Sequence, residues 1–330
     1  MPLQISQTHP ATRAQWSAAA GQCEYATFFH TPQWAELARV AFGSRITPRA
    51  TTITFDDGTS AVIPACVDAG PLRTGRLRLL SPGGTYGGWL SSDALGPEHA
   101  RLLAAHTLGS GPVAWRENPF DESLAGIELA GSTEDFTQVV DLRGRNAASI
   151  AGDADYAHRK AVRKAETSGV RVRVGTSPAD WDAHYSAYRE SQGRWRSRRL
   201  EVGIRYPQRL FRHLAGLDSP HIRLWIAEVE GTLAASVVCF YWNHHAVAWH
   251  GAGRSAFFDR RPNNLLFAHV IGDACERGYF WFDFNPCRQL DGVAKFKEHL
   301  GASRVRTRLV LRESAVRAAV RKLRKMGRSA

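Results

Sequence analysis

The chain has 330 residues, 44% of them hydrophobic, and a formal net charge of +12. That length is long for one domain and ample for the cores of two, and no run of about eighteen consecutive apolar residues occurs, which excludes a spanning helix. The first seventeen residues, MPLQISQTHPATRAQWS, lack a basic stretch followed by an apolar one, so no signal peptide is expected.

Cys23, Cys66, Cys239, Cys275 and Cys287 are scattered without a CxxC. They read as reduced thiols of a cytoplasmic protein, not as a disulfide frame or a zinc site. The charge is uneven. Residues 304–330 hold ten Lys/Arg against one Glu, residues 158–173 six against one, and residues 189–212 eight against two. The remainder is net acidic, at −8. Basic charge gathered into three segments suits a polyanionic partner, while a solvated helix face accounts equally well for any one run.

In chain order, residues 34–42 form an amphipathic, aromatic-containing segment ahead of a hairpin at 53–65 (ITFDDGTSAVIPA), whose Asp-Gly turn needs the positive φ of glycine. Residues 81–88 (SPGGTYGG) hold four glycines and display Tyr86. A tight structural loop is the simpler reading, and close backbone approach to an acceptor at Tyr86, Gly87 and Gly88 is the functional one. The loop lacks the Lys and Ser/Thr of a P-loop. A hinge is expected at residues 141–153. Beyond it, a helix over 156–168 is closed by Gly169, and a strand follows at 170–174. Residues 211–217 and 226–238 (IAEVEGTLAASVV) repeat the helix-then-hairpin arrangement of the first half, down to the Gly-Thr-x-Ala at the turn. The period implies two similar domains, not a solenoid. Pro262 opens a helix to Arg277, with Gly278 as terminator, and the strand 280–284 leads through a loop to a Gly292-led segment ending at Gly301. The expected fold is mixed α/β with antiparallel hairpins.

Asp283 falls in a strand without apolar alternation, as in strands covered on both faces, where a carboxylate is costly unless paired. Asp283 and Asn285 are placed to orient an incoming amine; satisfaction by loop amides is the structural reading. His244 and His245 point opposite ways on a strand and have no carboxylate or Cys at ligand spacing, so no metal site is expected. His250 is better placed as a cleft residue. Gly251 to Ala256 fits G-x-G-x-x-A formally, but Pro and two Asn follow, which removes the dinucleotide reading. The stretch before the helix at Pro262 lacks the [R/Q]-x-x-G-x-[G/A] loop of coenzyme-A acetyltransferases, so coenzyme A is not favoured. No G-x-S-x-G elbow or convincing Cys nucleophile is present, consistent with direct transfer to an amine.

Several segments, taken in order, resemble the Fem-like acyltransferases: HRKAVRKAETSGVRV from residue 157's neighbour His158, YRESQGRWRSR through YPQRLFRHL, WIAEVEGTLAASVV, and above all FWFDFNPCRQLDGVAKFKEHLGA at 280–302. The first half resembles the family more loosely, through SPGGTYGGWL. The resemblance implies two tandem acetyltransferase (GNAT)-like domains, at 1–148 and 149–312, followed by a basic amphipathic tail at 313–330. It implies transfer of an aminoacyl group from charged tRNA, as co-substrate and with no further cofactor, to an amine. The Phe296-Lys297 pair would lie at the acyl donor, with the Lys297 ammonium assisting the leaving oxygen or carbonyl; a snorkelling lysine is the structural reading. Asp283 and His250 would line the reaction cleft, with Asn285 beside the donor. Arg159, Arg163, Arg194, Arg321 and Arg324 would face the tRNA backbone, and Trp195 would join Tyr86, Gly87 and Gly88 on the acceptor. The long helical hairpin of the peptidoglycan-bridge members is missing, since no heptad stretch of that length exists. That shifts the expected acceptor to a small amine, as in antibiotic biosynthesis. An acyl-CoA or acyl-carrier-protein donor is the alternative reading, and a non-catalytic nucleic-acid or membrane-surface protein is the second.

Overall fold

The computed structural model describes residues 2–70, 76–197, 204–286 and 291–319. Along the first half run β1 (Ile5–Pro10), α1 (Arg13–Gln22), α2 (Pro32–Phe42), β2 (Ile46–Phe55), β3 (Ser60–Asp68), β4 (Leu77–Leu79), α3 (Pro97–Gly109), β5 (Val113–Arg116) and β6 (Ser132–Asp141). The second half adds α4 (Ala147–Asp153), α5 (Tyr156–Thr167), β7 (Val170–Gly175), α6 (Pro178–Ser197), α7 (Gln208–Ala215), β8 (Ile222–Val229), β9 (Thr232–Trp242), β10 (His245–Gly253), α8 (Pro262–Glu276), β11 (Trp281–Asp283), α9 (Asp291–His299) and β12 (Ser303–Arg312).

Local chemistry explains the expected elements. The β8–β9 turn places Glu230 and Gly231 at φ 50 and 72, the left-handed pair that matches the twist of a tight hairpin. Helix α5 stops before Gly169, whose φ of 77 suits a residue without a Cβ. Pro262 opens α8 at a position where its missing N–H removes no helical bond.

The chain divides into two compact units, one running to Asp135 and resuming at Arg306, the other spanning Phe136–Val305. The first unit's sheet has the order β1-β2-β3-β4-β5-β12, antiparallel except where β4 meets β5. The second has the order β7-β8-β9-β10-β11-β6, antiparallel except where β10 meets β11. The internal repeat is therefore a repeat of topology, with the closing strand of each half exchanged. This is why the units part at Asp135/Phe136 and not at 148/149, and why Arg306 onward groups with the first unit. A strand belongs to the sheet that satisfies its backbone, and β6 bonds to β11 while β12 bonds to β5. The expected tail helix is described only to residue 319, where Arg317 is held by the backbone and carboxylate of Asp68 in the first unit.

The first unit's core gathers Ile53, Phe55, Leu80, Trp89, Leu103, Trp115 and Val310. The glycine-rich loop is part of it. Tyr86 is not displayed, as expected above, but wholly buried, with its ring edge-to-face on Phe29 and Phe120. Gly87 is dictated by packing: a Cβ there would lie 2.0 Å from the Leu80 carbonyl oxygen, while its own carbonyl accepts from the Trp115 indole. Gly88 has a φ of 151 and lies against that same indole.

Gly87→Ala forces backbone apart and should lower stability by about 2–3 kcal/mol in urea unfolding, whereas Gly21→Ala in α1, with nothing within 4 Å, should leave it equal or higher. His30 is buried, accepts the Thr27 amide at Nδ1, and has no hydrogen-bond partner at Nε2 among the described residues. Burial pushes its pKa down to about 4. The unfolded chain then binds a proton below the usual histidine range that the folded chain does not, so stability falls with pH. At pH 5 this costs up to about 2 kcal/mol relative to pH 7, and His30→Asn should flatten that part of the dependence.

Candidate functional site

The second unit is organised by the place where β10 and β11 part. Their parallel pairing runs through His245–Trp281, Ala246–Phe282 and Val247–Asp283. One residue further, β10 carries a bulge: Ala248 pairs with Cys239 and His250 with Val238, leaving Trp249 unopposed. The bulge changes which face each side chain serves. Ala246, Ala248, Phe282 and Phe284 join the core with α8. His250, which strict alternation would put beside Ala248, is turned to the α6 and α7 face instead.

Asn285 spans the break. It takes the left-handed conformation at φ 58, and its amide Nδ2 donates to the Ala248 carbonyl at 3.1 Å. Its backbone N–H donates to Asp283 Oδ1 at 2.8 Å, and its carbonyl accepts from Lys297 Nζ at 2.6 Å. Asp283 is wholly buried and also accepts from the Thr137 hydroxyl at 2.7 Å. Lys297, 6% exposed on α9, stands 5.8 Å from the centre of the Phe284 ring. Asp283, Asn285 and Lys297 are thus brought together, whereas His250, expected beside Asp283, faces the other side of the sheet. The loop amide and the hydroxyl both donate to Oδ1 of the carboxylate. Phe296, one residue before Lys297 on α9, packs edge-to-face on Phe267 in the core.

On that core face a groove of about 650 Å³ opens between α5, the start of α8 and α9. Its walls carry Lys160, Lys164, Arg261 and Lys295, with His158, His299, Asn264 and Phe296. Helix α8 begins there without a side-chain cap, from Arg261 at φ 57. Uncapped amides at a helix start, together with these cations, make a place for phosphate oxygens. Among the described residues, no group of His, Cys, Asp and Glu could hold a metal ion.

Other expected residues lie elsewhere. Arg159 and Arg163 line a separate cavity of about 580 Å³ on the opposite side of α5, and Arg159 is committed to the carbonyls of Gly152 and Ala154. Arg194 is a clasp: it bonds Glu190, Ser191 and the Gly253 carbonyl and covers the Phe258 ring. Trp195 lies edge-on to Tyr188, 6.2 Å between centroids. Tyr86, Gly87 and Gly88 belong to the first unit. Arg321, Arg324 and Cys287 lie outside the described residues. The described cysteines are buried and unbridged, and burial pushes the Cys23 thiol up to about 11.

Sequence reasoning missed Lys160, Lys164, Lys295 and Arg261, although the first two lay inside a basic run already noted. It also missed His184 and Ser236. On the α6 face, His184 bonds Ser236 Oγ at 2.8 Å through Nδ1 and His250 Nδ1 at 3.0 Å through Nε2. Burial drives both imidazoles toward the neutral form, His250 to about 3. A base that weak takes up almost no second proton near neutrality, so the His250 ring is neutral there.

The acetyltransferase (GNAT) domain family matches residues 153–298. Among solved structures the chain is similar to FemX, at 11% identity and a TM-score of 0.67, covering 92% of this chain and 96% of that one. It is similar to L-PGS from Bacillus licheniformis at 14% identity and a TM-score of 0.51, covering 90% and 97%. The C-terminal domain of a putative lysylphosphatidylglycerol synthetase from Agrobacterium fabrum gives 13% and 0.52, covering 92% and 94%. No curated protein matches the chain. No helix among the described residues is long and apolar enough to cross a membrane. At these identities the likeness is one of fold: the chain has the Fem-like fold expected from its motifs, with a GNAT-type acetyltransferase domain over residues 153–298.

Proposed function

We propose that this protein is an acyltransferase that moves an aminoacyl group from charged tRNA onto the amine of a small molecule. The observation that carries this reading is the basic groove at the uncapped start of α8, with Lys297 on the same helix, α9, as the groove residues Lys295 and Phe296. Its cations are fit to hold the phosphates of a polyanionic donor. Phosphate contacts of that kind position a donor without reading its sequence, so the amino acid is chosen elsewhere.

The ester of a charged tRNA is already activated, and positioning supplies most of the rate. The neutral amine attacks the ester carbonyl, the carbon–oxygen bond to the ribose breaks, and the proton lost by nitrogen ends on the ribose hydroxyl. An ammonium has three donors. One from Lys297 goes to the Asn285 carbonyl, which aims the head group at the break between β10 and β11. Charge developing on the carbonyl or leaving oxygen is stabilised there. The acceptor amine would approach from the α6 and α7 face, and the enzyme would act in the cytoplasm, where charged tRNA is made. An acyl-CoA or acyl-carrier donor is the second reading, favoured by the acetyltransferase domain match.

The test is transfer of label from a pool of radiolabelled aminoacyl-tRNAs to amines of a cell extract. Transfer should be sensitive to ribonuclease, and Lys297→Ala should lower kcat by about 100-fold. Replacing Lys160 and Lys164 by Glu should raise the donor KM by roughly tenfold and weaken its salt dependence. Transfer from acyl-CoA or an acyl carrier, with none from any tRNA, would replace this reading by the second.

A further inference from the structure

The chain Ser236–His184–His250 lies on the α6 face of β9 and β10, away from the basic groove and from Lys297. Ser236 and His184 are 1% and 0% exposed, and His250 is 8% exposed. The hydrogens of such a chain follow from what each group can accept. A serine hydroxyl always has a proton to place. Among the described residues its one hydrogen-bond partner is His184 Nδ1, so the hydroxyl donates and Nδ1 accepts. Nε2 of His184 therefore carries the ring proton and donates to His250 Nδ1. His250 must then carry its own proton on Nε2. The opposite polarity would leave the buried hydroxyl proton without an acceptor, a costly arrangement.

The geometry points to His184 as a positioning residue: it locks His250 in the tautomer with Nε2–H, a neutral donor that binds the carbonyl oxygen of the acyl group as charge develops on it. This rests on the acyl-transfer reading above. His250 immediately follows the bulge residue Trp249, and the carbonyl two residues earlier is the one Asn285 clasps. It therefore stands at the level where the strands part, on the face opposite the groove. The rings of Tyr188, Phe211 and Trp249, with centroids 4.4, 4.9 and 5.2 Å away, exclude water from it, which strengthens a neutral donor and disfavours a charged one. Neither imidazole gains or loses a proton in the step. The amine proton still ends on the ribose oxygen.

Two measurements on the full chain test this. Nitrogen-15 NMR of the histidine rings, with no substrate present, should show His250 protonated at Nε2 in the wild type. Ser236→Ala should mix the tautomers without unfolding the protein. In steady-state transfer, His184→Leu should lower kcat by about 100-fold while the donor KM changes less than about threefold. His184→Gln, which restores an N–H near the position of Nε2, should recover most of that loss. His250 protonated at Nδ1, or His184→Gln as impaired as His184→Leu in a folded protein, overturns the proposal. Failure of transfer from every donor would instead overturn the reading it rests on, while the NMR arm still decides the tautomer.

Discussion

Two parallel strands that separate leave backbone groups with no ladder to join, and the second unit is arranged around meeting that need. Beyond Val247 and Asp283, the Ala248 carbonyl receives the Asn285 side chain, the Asn285 amide goes to Asp283, and the Asn285 carbonyl receives Lys297. Each bond answers a requirement of buried polar atoms. Together they place a carboxylate, an amide and an ammonium around one break in the sheet. The left-handed Asn285 is affordable because asparagine tolerates that conformation better than most residues. Structural necessity and chemical opportunity therefore fall on the same three side chains.

Much of the fold was legible because its punctuation is local. Gly58, Gly169 and Gly231 mark turns and a helix end that require positive φ, and Pro262 marks a helix start. The burial of Asp283 followed from the missing alternation in its strand. His184 and Ser236 were not legible, and the reason is the bulge. Counting by twos along β10 places His250 beside Ala248, and only the extra residue Trp249 turns it toward α6. The two sides of α5 show the same limit. Arg159 with Arg163, and Lys160 with Lys164, are equally good pairs at helical spacing, and sequence does not say which pair meets a groove. The exchange of β6 and β12 was also out of reach, since it depends on pairings far apart in the chain.

The three basic segments also look different once folded. Arg173 is shared between Asp180 and Glu228, Arg194 is bonded to Glu190, and Arg306, Arg308 and Arg317 pair with Glu134, Glu117 and Asp68. The Arg308–Glu117 and Arg317–Asp68 pairs are nearly buried, so removing one partner would strand a charge. Much of the apparent excess is thus internal cement. What distinguishes Lys160 and Lys164 within these segments is that they line a groove, as Lys295 and Arg261 from outside them also do. A count of charges along the chain measures supply; the fold decides which of them gather.

The exchanged closing strands also bear on how the protein is made. A chain emerges from the ribosome N-terminus first, and domains usually fold as they appear. Here β5 is synthesised long before β12, and every strand of the second unit comes in between. Until β12 arrives, β5 presents an unpaired edge, the kind of surface on which strands of other nascent chains can add. The first unit, though translated first, is completed last. Its completion confirms that the second half has been translated through β12, so a chain stopped short of that strand would be left marked by an open edge for proteolysis or chaperone capture.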